Sequence, residues 1–515
     1  MKNLRVLILI LGITAGLSAA ERPNVLFIAI DDLKPMLGCY DDPDVLSPNI
    51  DRLAERGTVF LNNACQQAIC GPSRASLMTG LYPDSTRVFD LQTRMRDVNP
   101  DVLTLPEHFR KQGYATTGVG KIYDSRCVDQ QLDEPSWSIP YAKLSGQDYS
   151  QETGAPFNGF HDPRVRQEHE EIRRILKQKG IPNNRSNKEY QTVAAPFLFR
   201  KPVVECLEEN VPYDAYTDGA VLNRATGLLR DLAKNNQPFF LGVGFSKPHL
   251  PFVAPKQYWD LYDRDSIELA PFQEQAKGAP DFAYQPSWEL RSYSGVPASG
   301  PIDEAMQRDM IHGYRACVSY VDDLVGRLVA QLDTFGLSEN TIIVLWGDHG
   351  WHLGDHGMFC KHTNYEQAVR SPLIIVDPAQ RQKGSRSDSP TEFIDIFPTL
   401  CELAGLPAPE QLEGHSLVSI MDNSNAMVRE ASLAQYPRYP SRMGYTLRDK
   451  RYRYIKWVDN DYKNGSYAGS VRAVELYDYQ SDPLETVNQA SNPDYQEVVT
   501  KFERLFEERG VAQQE

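Results

Sequence analysis

Asn24-Val25-Leu26-Phe27-Ile28-Ala29-Ile30 is an unbroken apolar run that stops abruptly at Asp31-Asp32. A strand with one wet face alternates polar and apolar residues, so a run with no break reads as a strand buried on both faces. The pattern recurs along the chain. Tyr114 to Val119 leads to Gly120-Lys121, Phe239 to Phe245 leads to Lys247-Pro248-His249, and Thr341 to Trp346 leads to Gly347-Asp348-His349. Pro372 to Val376 is a fifth strand candidate. Helical segments lie between them. Ser47 reads as the cap of a helix with Pro48 at its first position and Gly57 past its end. Thr104 and Glu107 have capping-box spacing, and Gly113 closes that helix. Met310 to Leu332 carries one long apolar helical face, and Asp395 to Ala404 another helix. Strands alternating with helices predict an α/β fold with a mainly parallel sheet flanked by helices. Sites in such sheets lie beyond the carboxyl ends of the strands, so these charged clusters are expected to converge.

Outward from this frame, Ser125 to Asp214 has no strand rhythm and reads as an excursion over the sheet that shapes a cleft, with a solvated helix from Arg164 to Lys179. A second change comes near residue 428. Tyr445 to Arg448 and Arg451 to Trp457 flank Asp449-Lys450 as a hairpin, Val471 to Tyr479 adds a strand, and Asp494 to Arg509 a closing helix. The expected division is a leader over 1–20, a catalytic domain over 21–427 and a smaller α+β subdomain over 428–515. In the leader, Lys2 and Arg5 precede the apolar stretch Val6 to Leu17 and the small residues Ser18-Ala19-Ala20. These are the parts of a secretory signal, and the stretch is short for a membrane span. A secreted or periplasmic protein without stable membrane insertion is expected.

The 515 residues carry 54 Lys+Arg against 69 Asp+Glu, a net charge of −15, which argues against a general nucleic-acid binder. The Tyr/Arg-rich stretch from Arg448 to Trp457 is read as hairpin alternation rather than a base-stacking platform. Eight cysteines without a C-x-x-C pair leave room for one or two disulfides in an oxidising compartment. Cys317 and Cys401 lie in apolar helical patterns and read as packing residues.

Cys70-Gly71-Pro72-Ser73-Arg74 carries the most chemistry. Pro72 suits the first turn of a helix that ends at Gly80, so Cys70 would sit where free N–H groups favour negative charge. Arg74, one turn on, can point back over the same end. Asp31, Asp32 and Asp348 are three carboxylates at strand ends, and hard oxygen donors in that number favour Ca²⁺. His352 and His356 have i, i+4 spacing, but Leu353 stands where a zinc helix has Glu, and Gly354 interrupts a helix. They read as part of a loop lining the cleft.

Cys-x-Pro-Ser-Arg followed by Ala75-Ser76-Leu77-Met78-Thr79-Gly80 resembles the motif of the type I, formylglycine-dependent sulfatases. The resemblance spans nearly all of the chain beyond the leader, through Gly120-Lys121, Gly347-Asp348-His349-Gly350 and the late Glu475-Leu476-Tyr477-Asp478. Within the family, Ser246-Lys247-Pro248-His249-Leu250-Pro251-Phe252 and the segment Asp348 to Gly357 look most like iduronate-2-sulfatase. The resemblance implies an alkaline-phosphatase-like fold and hydrolysis of a sulfate ester on a carbohydrate, with a 2-O-sulfated uronate or another sulfated polysaccharide fragment as substrate. It implies that a formylglycine-generating or other maturation enzyme oxidises Cys70, whose aldehyde hydrate is the nucleophile. It adds His349 and modified Cys70 to the Asp31, Asp32 and Asp348 metal shell. It places Lys121, Lys247 and Lys361 around the sulfate or a neighbouring group, Arg74 on the hydrated aldehyde and His249 as general acid to the leaving alcohol.

One departure stands out. Many family members carry a His two or three residues after the Lys matching Lys121, where this chain has Tyr123 and Asp124. Asp124 or His161 is the expected substitute. The rival readings are a phosphoester or phosphonate hydrolase of the same superfamily and a non-catalytic sulfated-glycan binder.

Overall fold

The computed structural model describes residues 22–156, 159–183, 188–438 and 440–511, so the expected leader at 1–20 lies outside the described residues. Seven strands form the main sheet: β1 (Asn24–Ile30), β2 (Thr58–Phe60), β3 (Ala115–Gly120), β4 (Phe239–Phe245), β5 (Thr341–Gly347), β6 (Leu373–Val376) and β7 (Ser385–Ser387). Their order is β7-β2-β6-β5-β1-β4-β3. The block β5-β1-β4-β3 is wholly parallel, so the four strands that end in charged residues deliver them to one edge. β6 runs antiparallel to both β5 and β2. The chain reaches β6 through residues 348–372, which stay at the carboxyl edge of the sheet, so β6 starts there and runs back.

The unbroken apolar run of β1 has the expected cause. Leu26, Ile28 and Ile30 enter one core and Val25, Phe27 and Ala29 the other. The first core is covered by the long helix Glu304–Thr334 and by Thr217–Leu232. The second holds Leu77 and Met78 of helix Cys70–Thr79, Leu105 and Phe109 of helix Leu105–Lys111, and the apolar face of helix Ile396–Leu403.

Neither expected helix cap forms, and one is replaced by a tertiary partner. The helix Pro48–Ala54 starts where expected, but the Ser47 side chain does not cap it. The N–H groups of Asn49 and Ile50 instead donate to the Asp322 carboxylate on the long helix, at 3.0 and 2.7 Å. Thr104 and Glu107 form no capping box. Thr104 Oγ1 meets Ser136 Oγ at 2.7 Å, and Glu107 pairs with Arg96 at 2.8 Å.

Residues 125–214 contribute helices and turns among their described residues, including Pro163–Lys179. A separate antiparallel sheet follows with strands β8 (Ser432–Arg438), β9 (Arg442–Arg448), β10 (Tyr452–Asp459) and β11 (Ser470–Asp478) in sequential order. The helix Gln496–Arg509 packs Phe502, Leu505 and Phe506 into its core. The hairpin turns at Asp449-Lys450, as expected. All eight cysteines are free, so no disulfide forms, and Cys317 and Cys401 are core residues. No helix among the described residues is long and apolar enough to cross a membrane.

Candidate active site

The sheet hydrogen bonds continue one residue past the strand ends. Asp31 N donates to Phe245 O at 3.1 Å, Asp348 N to Ile30 O at 3.3 Å and Lys121 N to Gly244 O at 2.9 Å. Adjacent strands thereby present Asp31 and Asp348 side by side, with Lys121 one strand further along the same edge. This approach requires Gly120, whose φ is +79° and where a Cβ would lie 2.0 Å from Gly244 O.

Helix Cys70–Thr79 is buried along its whole length and aims its first residue at this edge. Cys70 Sγ lies 3.4 Å from His349 Nε2, 3.6 Å from Lys121 Nζ and 3.9 Å from Asp32 Oδ1. Ligand atoms of Asp32, Cys70, Asp348 and His349 all lie within 4.8 Å of one another, as do those of Asp31, Asp32, Cys70 and His249. His349 Nδ1 faces the Gly350 carbonyl at 2.9 Å, which fixes the proton there. That leaves the Nε2 lone pair toward Asp32 and Asp348, at 3.3 and 3.6 Å.

Three buried or half-buried cations balance the carboxylates. Arg74 Nε donates to Asp348 Oδ2 at 3.0 Å, Nη2 to Asp31 Oδ1 at 2.9 Å and Nη1 to the Ile122 carbonyl at 3.0 Å and to that of Lys121. The guanidinium is therefore engaged with the carboxylates and strand ends, and it positions them rather than bonding Cys70. Lys121 pairs with Asp31. Lys361 pairs with both oxygens of Asp32 at 3.0 and 2.9 Å and lies over the Trp351 ring. Burial alone would raise the Asp31 carboxyl, but Lys121 and Arg74 hold it well below the usual range. Burial, reinforced by Asp31, pushes the Cys70 thiol well up.

His249 Nε2 is 3.1 Å from Glu289 Oε1 and 3.8 Å from Asp32 Oδ2, while Nδ1 meets the Leu250 carbonyl at 2.7 Å. Burial disfavours the imidazolium, but Asp32 and Glu289 outweigh it and raise the pKa. Glu289 also pairs with Lys361 at 3.0 Å. Sequence reading missed Glu289. It sits in the one-turn helix Trp288–Arg291, in a stretch with no period or motif to mark it.

Other expected residues stand elsewhere. Lys247 Nζ donates to the His249 and Pro251 carbonyls and braces the loop instead of reaching Cys70. Asp124 lines the cleft beside Lys121 and His249 but is clamped by Arg126 Nε at 2.9 Å and Nη2 at 2.7 Å. Burial would raise its pKa, yet Arg126 and Lys121 hold it low, which ill suits a base. His161 bonds the Ala215 carbonyl and is not among the residues lining that cleft. His352 and His356 do not line it either. Both are buried, His352 against Thr363 and His356 stacked on Tyr365, because the segment turns under the C-terminal sheet.

The family model described as Sulfatase matches residues 23–406. The chain belongs to the sulfatase family. A second model, described as N-sulphoglucosamine sulphohydrolase, C-terminal, matches residues 354–511 of this sulfatase. Mouse iduronate 2-sulfatase is 32% identical over 92% of this chain and 92% of its own. A solved protein in complex with its substrate D-glucosamine-2-N,6-O-disulfate shares the fold at a TM-score of 0.71 and 21% identity, covering 95% of this chain and 97% of that one. The phosphonate monoester hydrolase of Silicibacter pomeroyi shares it at 0.67 and 23%, covering 95% of each chain. The sulfatase fold is thus alkaline-phosphatase-like as expected, and the enzyme is a sulfuric ester hydrolase.

Proposed function

We propose that this sulfatase removes a sulfate ester from a carbohydrate, with a 2-O-sulfated uronate as the lead substrate. The observation that carries the reaction type is the convergence of Cys70 with Asp31, Asp32, Asp348 and His349 in two overlapping buried clusters that share Cys70 and Asp32. The 32% identity to mouse iduronate 2-sulfatase across both chains supports the uronate.

The donor set fits a hard divalent cation. Three buried carboxylates, one imidazole nitrogen with its partner nitrogen tied down, and the Cys70 side chain share a pocket. Asp31, Asp32, Asp348, His349 and residue 70 would hold Ca²⁺. When present, the cation supplies Lewis-acid polarisation of the sulfate, and the formylglycine made from Cys70 by a maturation enzyme supplies the nucleophilic oxygen. The chain's own side chains do the rest. Lys121 and Lys361 place two ammonium groups beside the cluster, where they stabilise charge developing on sulfate oxygens. Arg74 holds Asp31 and Asp348 in place. His249, whose pKa Asp32 and Glu289 raise against burial, donates from Nε2 to the leaving alcohol. The leader at 1–20 supports export to a periplasmic or extracellular space, where sulfated polysaccharides are met.

The test is a panel of defined sulfated saccharides, alongside phosphate and phosphonate esters of one alcohol. Preferential release of 2-O-sulfate from a uronate is the expected result. Release from another position would replace the lead substrate, and turnover of phosphorus esters alone would replace the reaction.

A further inference from the structure

The catalytic cleft, about 570 Å³ and lined by Lys121, Asp124, Arg126 and His249, does not end at the sulfate pocket. It shares Gly120, Leu132 and Leu144 with a second cavity of about 600 Å³. That volume is ordinary for a small-ligand site. The excursion from residue 130 to 144 forms its wall. Trp137 and Tyr141 stand 5.1 Å apart between ring centres, and Gln130 and Gln131 add amides. Its charged lining residues are one Glu, Glu134, and one Lys, Lys143, and Lys143 makes no ion pair with a described residue.

This wall is held in shape before any ligand arrives. The Asp129 carboxylate accepts from the backbone N–H groups of Gln131, Asp133 and Glu134 at 2.8, 2.9 and 3.0 Å. Trp137 Nε1 donates to the Leu132 carbonyl at 2.7 Å, and Tyr141 OH to the Gly120 carbonyl at 2.8 Å. The second cavity is therefore tied to the residue that precedes Lys121. Preorganised walls bind at a lower ordering cost.

We propose that this cavity is a subsite for the sugar next to the one that carries the scissile sulfate. The proposal rests on the carbohydrate reading above and deepens it. The negative face of an aromatic ring attracts the polarised C–H groups of a pyranose face. The two glutamine amides can donate to and accept from hydroxyls. A cavity with only one Lys suits a ring with at most one anionic substituent rather than a heavily sulfated one. Binding energy gained there is remote from sulfur, so it should act on oligosaccharides and be lost on truncated substrates.

The test compares kcat/KM on a 2-O-sulfated uronate monosaccharide with that on the di- and tetrasaccharides ending in it, or on the equivalent series for whichever sulfate position is turned over. The expected result is a gain of about tenfold or more with the first added sugar. Tyr141→Ala and the double change Gln130→Ala/Gln131→Ala should each collapse the ratio of disaccharide to monosaccharide rates toward one. The glutamines are exposed, so that variant remains decisive if Tyr141→Ala does not fold. A ratio near one in the parent enzyme, with the monosaccharide turned over, would overturn the subsite alone. A ratio unchanged in the glutamine variant and in any folded Tyr141→Ala would also overturn it. No turnover of any sulfated saccharide by fully converted protein would overturn the carbohydrate reading, and the subsite with it.

Discussion

His249 and Glu289 divide between them what the sequence shows and what only folding reveals. His249 follows an apolar strand and a proline, so its place at a strand end is legible. Glu289 comes to it from a one-turn helix distant in sequence. A proton donor matters most when the leaving group is a poor one. His249→Ala should therefore lower kcat on a sugar sulfate by about 10²-fold or more, and much less on 4-nitrophenyl sulfate, whose phenolate leaves unaided. Equal losses on the two esters would remove His249 from that role. Glu289 touches His249 and Lys361 and acts through them, as a positioning residue. Glu289→Gln should show the same leaving-group bias at smaller size. Combined with His249→Ala it should cost less than the sum of the two, because residues in one network are not additive. Full additivity in a double-mutant cycle would show that the contact is idle.

The elements that carry the fold are long and periodic, which is why β1, β3, β4, β5 and the helix Glu304–Thr334 can be read directly from the chain. β2 and β7 are three residues each, too short for a period to show. The antiparallel sense of β6 depends on the path of the preceding loop, and the cap of helix Pro48–Ala54 comes from a residue far away in sequence. Asp322 lies 273 positions from Asn49. The same reasoning applies where the main sheet meets the C-terminal one. Glu366 accepts from Arg453 Nη2 at 2.5 Å on β10 and from Arg448 Nε at 3.4 Å on β9. Burial would raise its carboxyl, but Arg448 and Arg453 bring it from 4.5 down to about 2. A depressed carboxyl stabilises the folded state above its unfolded pKa and loses that contribution as pH falls toward its folded pKa. Here that window runs from 4.5 to about 2, and the contribution at neutral pH is on the order of 3 kcal/mol. Glu366→Gln should therefore be markedly less stable than the parent at pH 7 in denaturant unfolding, with the gap narrowing below pH 4.5. A gap independent of pH would assign the loss to packing.

The site exists because the parallel block β5-β1-β4-β3 brings residues from four regions of the chain to one edge, and helix Cys70–Thr79 faces them. That convergence was legible from where the apolar runs stop. The turn of Lys247 away from Cys70 and the clamping of Asp124 by Arg126 were not, since both depend on local bonds in loops. Concentrating three carboxylates in a buried cluster is tolerable only with cations nearby, so ion binding should stabilise the fold. Added Ca²⁺ should raise Tm over chelator-treated protein, by about 2.7 kcal/mol of linkage at a hundredfold excess over Kd. Asp32→Asn should reduce that shift, and an identical Tm with and without the ion would contradict the metal assignment. The proposed role of Cys70, once converted, is as the centre of sulfate transfer. It is tested most directly by preparing protein with graded conversion of Cys70, quantified by peptide mass, and measuring sulfate release from one turned-over saccharide. The rate should be proportional to the converted fraction, with none in Cys70→Ala. Release that is independent of conversion, or that persists in Cys70→Ala, would contradict it.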